Sequence, residues 1–306
     1  MSLQAFPKIW HCGSIEVPHL FKGTVEVTEK LDGSAIAFGR DNLGKFQIRS
    51  KGAPLMTDDV LVREPDKLFT SACNNIARIQ QEVPSGVFIY GEVLSNPKHN
   101  TLKYSSVPTN NIAIYGVRNQ QGWVSSHSEL SDYARAYGFD VVPLLYSGEI
   151  TDIQVIKDFL NLDSYLGGTK IEGVVIKNYS QQAISNRSTE CYAKYVSEAF
   201  KEQNGANWKE QKDSTSVQGY INSFANEARW LKAYQFLRDG GLLTQSPKDI
   251  GPILKRVQED LQEEEAGNIK ETLYQMHIKQ IKQASTRGLP EWVKAKLLES
   301  SLVVPV

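Results

Sequence analysis

The hydrophobic pattern of the chain changes character once, at about residue 214. Before that point, short runs rich in β-branched residues are separated by turn residues, a pattern typical of antiparallel strands. The predicted strands are residues 23–28, 34–38, 45–50, 87–93, 112–117 and 173–177. Two helices are expected between them, at residues 65–82 and 128–137, the second with Ser128 as its N-cap and Gly138 at its end. This part of the chain is therefore predicted to be α+β.

After residue 214 the apolar residues recur at helical spacing instead. The positions that share this spacing are Tyr220, Phe224, Ala228, Leu231 and Phe236. The pair Gly240-Gly241 is expected to end this helix, because glycine readily takes the left-handed conformation that closes helices. Further helices are predicted at about residues 247–265, 269–284 and 290–300.

The same region carries expectations about burial and about the domain boundary. Trp230 and Trp292 are expected to lie in the core of the helical part, and the acidic run 263–265 is expected to form a solvated helix face. The polar stretch 201–216 is interpreted as a linker. The sequence thus predicts two domains, residues 1–212 and a helical domain of residues 213–306.

The charge balance excludes some classes of protein. The chain has 34 Lys plus Arg against 35 Asp plus Glu, a net charge of −1, so it is neither a basic nucleic-acid coat protein nor an acidic disordered chain. Its three cysteines, Cys12, Cys73 and Cys191, are far apart, which does not fit a disulfide framework or a paired zinc site. No apolar run approaches the ~18 residues of a membrane span. We expect a cytoplasmic, monomeric protein without a membrane partner.

The most informative segment is Glu29-Lys30-Leu31-Asp32-Gly33-Ser34, between two predicted strands. It presents a lysine at a tight turn, where the glycine permits close backbone approach to a ligand. Alone, such a segment is equally typical of a solvated hairpin. The pattern becomes specific because further segments follow in fixed order. They are Arg49-Ser50-Lys51-Gly52, Phe88-Ile89-Tyr90-Gly91-Glu92, Ile114-Tyr115-Gly116-Val117, Glu172-Gly173-Val174-Val175-Ile176-Lys177 and Ala193-Lys194-Tyr195.

Together these segments resemble the motif series of the covalent nucleotidyltransferase superfamily, which comprises polynucleotide ligases and mRNA capping enzymes. Within it, the chain most resembles ATP-dependent RNA ligases of the phage RNA ligase 2 type. The serine after the turn, the fourth block and the helical tail point that way, whereas DNA ligases and capping enzymes normally carry a β-rich OB-fold there. The resemblance implies an α+β fold, an antiparallel-sheet nucleotidyltransferase domain (an ATP-grasp-like ligase adenylation domain) followed by a small all-α domain.

The resemblance also implies a role for each catalytic position. Lys30 would attack the α-phosphate of ATP and form a lysyl-AMP. A free lysine is about one part in a thousand neutral near pH 7.4, so something must lower its pKa, and Lys177 and Lys194 are the candidate neighbouring cations, together with a divalent metal. Glu92 and Glu172 would hold that metal, Mg²⁺ or Mn²⁺.

Other positions are expected to bind nucleotide or RNA. The resemblance implies that ATP contacts Glu29, Lys30, Leu31, Ser34, Arg49, Glu92, Tyr115, Glu172, Lys177 and Lys194. Tyr115 would stack on adenine, although a buried strand aromatic is an open alternative. Arg49 and Lys51 are the candidates for contact with RNA.

Some residues depart from the pattern or stand outside it. The last block reads Lys194-Tyr195-Val196 where relatives often have Lys-x-Lys, so one phosphate-binding lysine is missing, and Lys201 is one candidate to replace it. His11 and His19 are interpreted as surface or core histidines in preference to substrate contacts.

These residues predict an ATP-dependent RNA ligase that joins RNA 5′-phosphate and 3′-hydroxyl ends through a lysyl-AMP and an adenylated RNA 5′ end, in RNA repair. An ATP-dependent DNA ligase or a capping guanylyltransferase is the alternative within enzymes, and a nucleic-acid-binding module without catalysis is the alternative outside them. Deletion of the tail from Ser214 onward is expected to spare lysine adenylation and to impair sealing.

Overall fold

The structure of the protein is a computed structural model that describes residues 3–13, 17–180, 191–196 and 217–302. Its strands are β1 (Trp10–His11), β2 (Thr24–Lys30), β3 (Ser34–Arg40), β4 (Phe46–Ser50), β5 (Pro54–Thr57), β6 (Val60–Leu61), β7 (Phe88–Val93), β8 (Ile112–Asn119), β9 (Gly122–Trp123), β10 (Asp140–Val141), β11 (Leu144–Glu149), β12 (Gly173–Lys177) and β13 (Tyr192–Val196). Its helices are α1 (Lys67–Ile79), α2 (His127–Tyr137), α3 (Ile153–Phe159), α4 (Val217–Asn222), α5 (Glu227–Asp239), α6 (Ile250–Ser285) and α7 (Leu289–Leu302). Short 3-10 turns cover Thr109–Asn111 and Pro247–Asp249.

The strands form two sheets. In the first, the order is β1-β13-β12-β2-β11, and in the second it is β10-β8-β7-β3-β4-β5-β6, with β9 beside β8. The pairs between named strands are antiparallel except β1 with β13 and β8 with β10. The sequence-predicted α+β class with antiparallel sheets and a helical C-terminal region is confirmed.

Each sheet buries one face against helices. The second sheet packs its apolar side chains, Phe38 and Ile89 among them, on Phe69 and Ile76 of α1 and on Leu130 of α2. The first sheet buries a separate cluster with Ile156 of α3. Because side chains alternate between the two faces of a strand, those on the opposite face of each sheet point toward the space between the two sheets.

The two sheets are joined at the segment that the sequence singled out. β2 belongs to the first sheet and β3 to the second, and only Leu31-Asp32-Gly33 separates them. Gly33 lies so close to β7 that an added Cβ would be 2.5 Å from the carbonyl oxygen of Val93 and 2.7 Å from Cγ of Glu92. The crossing between the sheets therefore requires glycine at this position.

Helix boundaries differ from the sequence predictions at three places. The helix expected through Tyr220 and Phe236 is two helices, α4 and α5, because Asn226 caps the start of α5. The N-cap of α2 is Ser126, whose Oγ accepts from the backbone N–H of Glu129 at 3.2 Å. The prediction of Ser128 as the N-cap is wrong, because Ser126 and Glu129 have the three-residue spacing of a capping box. The helices predicted at 247–265 and 269–284 are one helix, α6, in which Asn268 donates to the carboxylate of Glu265 at 3.3 Å.

Two burial predictions for the helical region are wrong. Trp230 is 51% exposed and Trp292 is 59% exposed, so neither is a core residue. Helices α5 and α6 pack together through polar contacts, since Arg229 of α5 forms an ion pair with the buried Asp260 of α6 at 2.9 Å.

The linker predicted at 201–216, the predicted boundary at residue 212 and the candidate Lys201 lie outside the described residues. Among the helices that the structure does describe, none is long and apolar enough to cross a membrane.

Candidate active site

All sequence-predicted site residues face one cavity of about 1150 Å³ between the two sheets and the C-terminal helices. Lys30 ends β2 at the crossing between the sheets, and Glu92 lies on β7 directly beside Gly33. Glu172 comes immediately before β12, whose Gly173 pairs with Lys30. Three segments that are distant in sequence therefore converge because their strands are neighbours.

Lys30 and Glu172 form a close ion pair. Nζ of Lys30 donates to both carboxylate oxygens of Glu172, at 2.6 Å each. Burial by itself would lower the pKa of Lys30, but the charges of Glu172 and Glu92 outweigh it and raise the pKa. The sequence expectation that neighbouring cations lower the pKa of Lys30 is thus wrong for this state of the site, because the carboxylates are the nearer charges.

The two glutamates carry raised pKa values. Burial raises the pKa of Glu92 to about 8. Repulsion by Glu172 adds to this effect, and the charge of Lys30 opposes it. Burial likewise raises the pKa of Glu172 to about 7, although Lys30 opposes it. Two partly uncompensated buried carboxylates are a donor set that suits Mg²⁺ or Mn²⁺, since such ions commonly bind one or two carboxylates plus phosphates.

Asp32 holds the turn together through its hydrogen bonds. Its carboxylate accepts from the backbone N–H groups of Thr101 and Leu102, at 2.7 Å each. The backbone N–H of Asp32 donates to the hydroxyl of Tyr104 at 2.8 Å, and Asn100 donates to the carbonyl oxygen of Gly33 at 2.6 Å. The Asp-Gly pair therefore fixes the turn that presents Lys30.

Lys194 lies on the same face of the first sheet as Lys30. It pairs with Val175 of β12, which in turn pairs with Thr28 of β2. Burial lowers the pKa of Lys194 to about 8, Glu264 opposes this, and the charges of Lys232 and Lys30 lower the pKa further. Val196, at the place of the missing second lysine, pairs with Gly173.

Lys177 lies farther from Lys30 than Lys194 does along the strands. It pairs with Glu26, four residues before Lys30 on β2, so the two lysines are about 13 Å apart along the strands. Its Nζ donates to the carbonyl oxygen of Tyr115 and lies 5.9 Å from the ring centre of Phe6. Burial lowers the pKa of Lys177 to about 8. Lys177 thus reaches the aromatic end of the cavity.

That aromatic end is formed around Phe6, near the N-terminus. The Phe6 ring meets Tyr115 edge-on with centroids 5.0 Å apart and stacks on Tyr192 at 5.8 Å. Gly116 permits this contact, since an added Cβ would be 2.5 Å from the Phe6 ring. Phe6 belongs to none of the sequence segments that predicted the site.

Three predicted ATP-binding residues have partners within the protein. The carboxylate of Glu29 accepts from the Ser164 hydroxyl at 2.5 Å and from the backbone N–H of Tyr165. Leu31 is 3% exposed in an apolar cluster with Leu94 and Tyr104. The hydroxyl of Ser34 lies 3.0 Å from Nε2 of His99.

The two candidates for RNA contact, Arg49 and Lys51, flank the end of β4. Nε of Arg49 donates to the carbonyl oxygen of Ser50 at 3.4 Å. The pKa of Lys51 is lowered, first by loss of solvation and then by the charge of Lys232.

The acidic run 263–265 is solvated only at Glu263, whose side chain is 55% exposed. The prediction is wrong for Glu264, which is 15% exposed in the cavity and forms ion pairs with Lys194 at 3.2 Å and with Lys232 at 3.6 Å. His11 is an exposed surface residue, as expected, and lies 3.8 Å from the same carboxylate. Sequence reasoning missed Lys232 and Glu264, which belong to facing helices and to no motif.

Comparison with known proteins agrees with the motif series. The family model described as RNA ligase matches residues 23–196, more than half of the chain. No curated protein matched.

Several solved structures of Naegleria gruberi RNA ligase are similar to this chain. One with PPi is 18% identical, covers 61% of this chain and 54% of that one, and has a TM-score of 0.45. A substituted form with ATP and Mn is 18% identical with a TM-score of 0.47, covering 65% and 58%. Another with AMP and Mn is 18% identical with a TM-score of 0.45, covering 65% and 59%. The chain spans less than two thirds of the length of these structures.

Proposed function

The chain belongs to the RNA ligase family, and from that membership we propose that it is an ATP-dependent RNA ligase that joins a 5′-phosphate to a 3′-hydroxyl. The observation that carries the proposal is the meeting of Lys30, Glu172 and Glu92 in one cavity with Lys194. A lysine, two carboxylates and further cations are the groups that transfer of a nucleotidyl group to an amine requires. Its biological role would be RNA repair.

In the proposed first step, Lys30 attacks the α-phosphorus of ATP. The ammonium of Lys30 first loses a proton, for which the Glu172 carboxylate at 2.6 Å is the nearest acceptor. The bond between Nζ and the α-phosphorus then forms as the bond to the β-phosphate breaks. Pyrophosphate leaves with the electron pair, and the second proton of the attacking nitrogen goes to solvent. The product is a lysyl-AMP.

Two further steps complete the proposed reaction. The RNA 5′-phosphate attacks the lysyl-AMP, which frees Lys30 and leaves an adenylated 5′ end. The 3′-hydroxyl of the second strand then attacks that 5′-phosphate and AMP leaves. Each step is a displacement at phosphorus, so one set of positioned charges can serve all three.

The remaining residues support binding and orientation. Glu92 and Glu172 would hold Mg²⁺ or Mn²⁺, which would neutralise phosphate charge. Lys194 would bind phosphate from the neighbouring strand, and Tyr115 would contact the adenine at the aromatic end, with Lys177 beside it. Arg49 and Lys51, at the opposite wall of the cavity, would meet the RNA. The phage RNA ligase 2 type remains the proposed subgroup on the strength of its motif residues.

The test is formation of a covalent adduct. Wild-type protein mixed with labelled ATP and Mg²⁺ should form an adduct at Lys30, and Lys30→Ala should form none. Lys170→Ala is a matched control, because Lys170 is an exposed lysine paired with Asp163 at 2.7 Å. Absence of an adduct in wild type, or an undiminished one in Lys30→Ala, would contradict the proposal.

The same assay separates the alternatives. An adduct from GTP in place of ATP would indicate a capping guanylyltransferase, and sealing of nicks without any RNA strand would indicate a DNA ligase. RNA binding without an adduct would indicate a binding module. Nicked duplexes with RNA or DNA at each side of the nick identify the substrate.

A further inference from the structure

Glu264 is surrounded by basic side chains from three different elements. Its carboxylate lies 3.2 Å from Nζ of Lys194 on β13, 3.6 Å from Nζ of Lys232 on α5, and 3.8 Å from Nε2 of His11 on β1. Burial raises the pKa of Glu264, but the charges of Lys194 and Lys232 outweigh it and lower the pKa to about 2. Burial lowers the pKa of His11 to about 4, so His11 is not one of these charges near neutral pH. The protein has therefore built an anion site at this point and fills it with its own carboxylate.

The lysines at this site converge on one carboxylate. Lys232 has a second partner, since its Nζ also forms an ion pair with the buried Asp260. Another lysine, Lys8, donates to the backbone carbonyl oxygen of Glu263, one residue away. Two ammonium groups that converge on the same carboxylate, as Lys194 and Lys232 do, are also placed to hold the oxygens of a phosphate group.

The anion site lies on the same face of the first sheet as Lys30. Lys194 is two residues from Val196 on β13, a distance of about 7 Å, and Val196 is across Gly173 from Lys30. Val196 has no charge to offer a phosphate at the place where the resemblance expects a second lysine. The side chain of Lys232 reaches the same cavity from α5. Its Nζ contacts the carboxylate of Glu264, which Nζ of Lys194 also contacts.

We propose that Lys232 is a triphosphate-binding residue, which forms with Lys194 a site for the β- and γ-phosphates of ATP that Glu264 occupies until the nucleotide displaces it. This inference rests on the proposed function and adds to it the residue that takes the place of the missing second lysine. It also gives the C-terminal helices a part in lysine adenylation. If α5 supplies a triphosphate contact, deletion of these helices should impair lysine adenylation, in contrast to the sequence expectation that it spares this step.

The inference distinguishes the first step from the last. The β- and γ-phosphates leave as pyrophosphate when the lysyl-AMP forms, so the later steps contain no group that this site would hold. Loss of the Lys232 charge should therefore weaken the reaction with ATP and leave the sealing of an already adenylated RNA unchanged. A role in folding or in docking the helices would impair both reactions together.

The experiment compares wild type with Lys232→Gln and Lys255→Gln in the full-length chain. Lys255 is the control because its side chain is 80% exposed on α6, paired with Glu259 and outside the cavity. Two rates are measured: adduct formation as a function of ATP concentration with Mg²⁺, and sealing of 5′-adenylated RNA without ATP. We expect Lys232→Gln to raise the KM for ATP about tenfold or more, as for loss of one charged hydrogen bond. Sealing of adenylated RNA should stay at the wild-type rate, and Lys255→Gln should match wild type in both.

The results that overturn the inference are an unchanged KM for ATP in Lys232→Gln, or an equal loss in both reactions. Lys232→Arg, which keeps the charge, should restore most of the reaction with ATP. Binding of pyrophosphate with Mg²⁺, measured by calorimetry, tests the anion site without catalysis. If wild type forms no adduct, the proposed function fails. The anion site is then tested by calorimetry alone, and Lys232→Gln should bind pyrophosphate more weakly than wild type if the site exists.

Discussion

Glu172 meets Lys30 with both carboxylate oxygens at 2.6 Å, although the two residues are 142 positions apart in the chain. Burial would lower the pKa of Lys30, but the charges of Glu172 and Glu92 outweigh it and raise the pKa, which favours the ammonium form. The contact therefore places that ammonium group next to a carboxylate that can accept its proton. Cation and nucleotide binding at the carboxylates would weaken the hold of Glu172 on that proton.

The first prediction concerns the protonation of Lys30. Glu172→Gln removes the charge that raises the pKa of Lys30, so Lys30 should react with acetic anhydride at lower pH than in wild type, as followed by mass spectrometry. Adenylation should nevertheless fall by ~100-fold or more, because a charged group at the reacting phosphate is lost. Asp163→Asn, at an exposed lysine pair, should change neither property. Unaltered labelling of Lys30 in Glu172→Gln would show that the ion pair does not control its pKa.

The second prediction concerns pH. The pKa values of Glu172 and Glu92 are about 7 and about 8, and both groups must lose their protons to bind a cation, as Lys30 must to attack. All three requirements act in one direction, so the initial rate of adduct formation should only rise between pH 6 and pH 9, by about tenfold or more. More Mg²⁺ should be needed at the acidic end. A rate that falls as pH rises above 7 would contradict this assignment.

The third prediction concerns stability. Because the pKa of Glu92 is raised to about 8, the folded protein holds a proton that the unfolded chain releases at lower pH, so the free energy of unfolding falls as pH rises from about 4.5 to about 8. Glu92→Gln should therefore be more stable than wild type at pH 8 without metal, by about 1 kcal/mol or ~3 °C in Tm. The gain should be smaller at pH 5.

Thermal unfolding at the two pH values measures this difference. Glu149→Gln is the matched control, because Glu149 is an exposed glutamate at the end of β11. The same gain at pH 5 and pH 8 would mean that the effect does not come from the ionisation of Glu92.

The fourth prediction concerns the crossing between the sheets. Gly33→Ala would place a Cβ 2.5 Å from the carbonyl oxygen of Val93 and 2.7 Å from Cγ of Glu92, so the turn or β7 must shift. We expect a loss of about 1–3 kcal/mol in the free energy of unfolding and a marked loss of adduct formation, since Lys30 and Glu92 would both move. Gly251→Ala in α6 is the control, because no atom lies within 4 Å of its added Cβ. Equal stability of both variants in chemical denaturation would contradict the close approach.

The elements that depend on local pattern could be predicted from sequence. The strand that ends at Lys30 alternates apolar and polar residues, with Val25 and Val27 against Glu26 and Thr28, so its side-chain period was visible, whereas the strand of Glu92 reads as a short, mostly apolar run. The prediction that the helix breaks at 266–268 is wrong. A single glycine inside a helix, here Gly267, costs only about 1 kcal/mol, and the flanking turns of α6 compensate for that cost. A single glycine is therefore a weak predictor of a helix end within a long helix.

The charges of the site were harder to foresee because they depend on contacts between distant segments. The sequence indicated Lys194 as a phosphate ligand, and this stays a prediction, but no periodicity pairs it with Glu264 seventy residues later. The same holds for the proton balance at Lys30, which the distance to Glu172 decides. Spacing along a chain predicts which groups are present in a cleft, while only the fold says which of them is nearest.

The three-residue link between β2 and β3 has a mechanical consequence. The walls of the cleft are consecutive strands of different sheets, tied covalently beside Lys30. The chain crosses between the two sheets again within two residues, from Val141 of β10 to Leu144 of β11. Two short covalent links therefore limit how far the walls can separate, and one of them sets the spacing of the walls at Lys30.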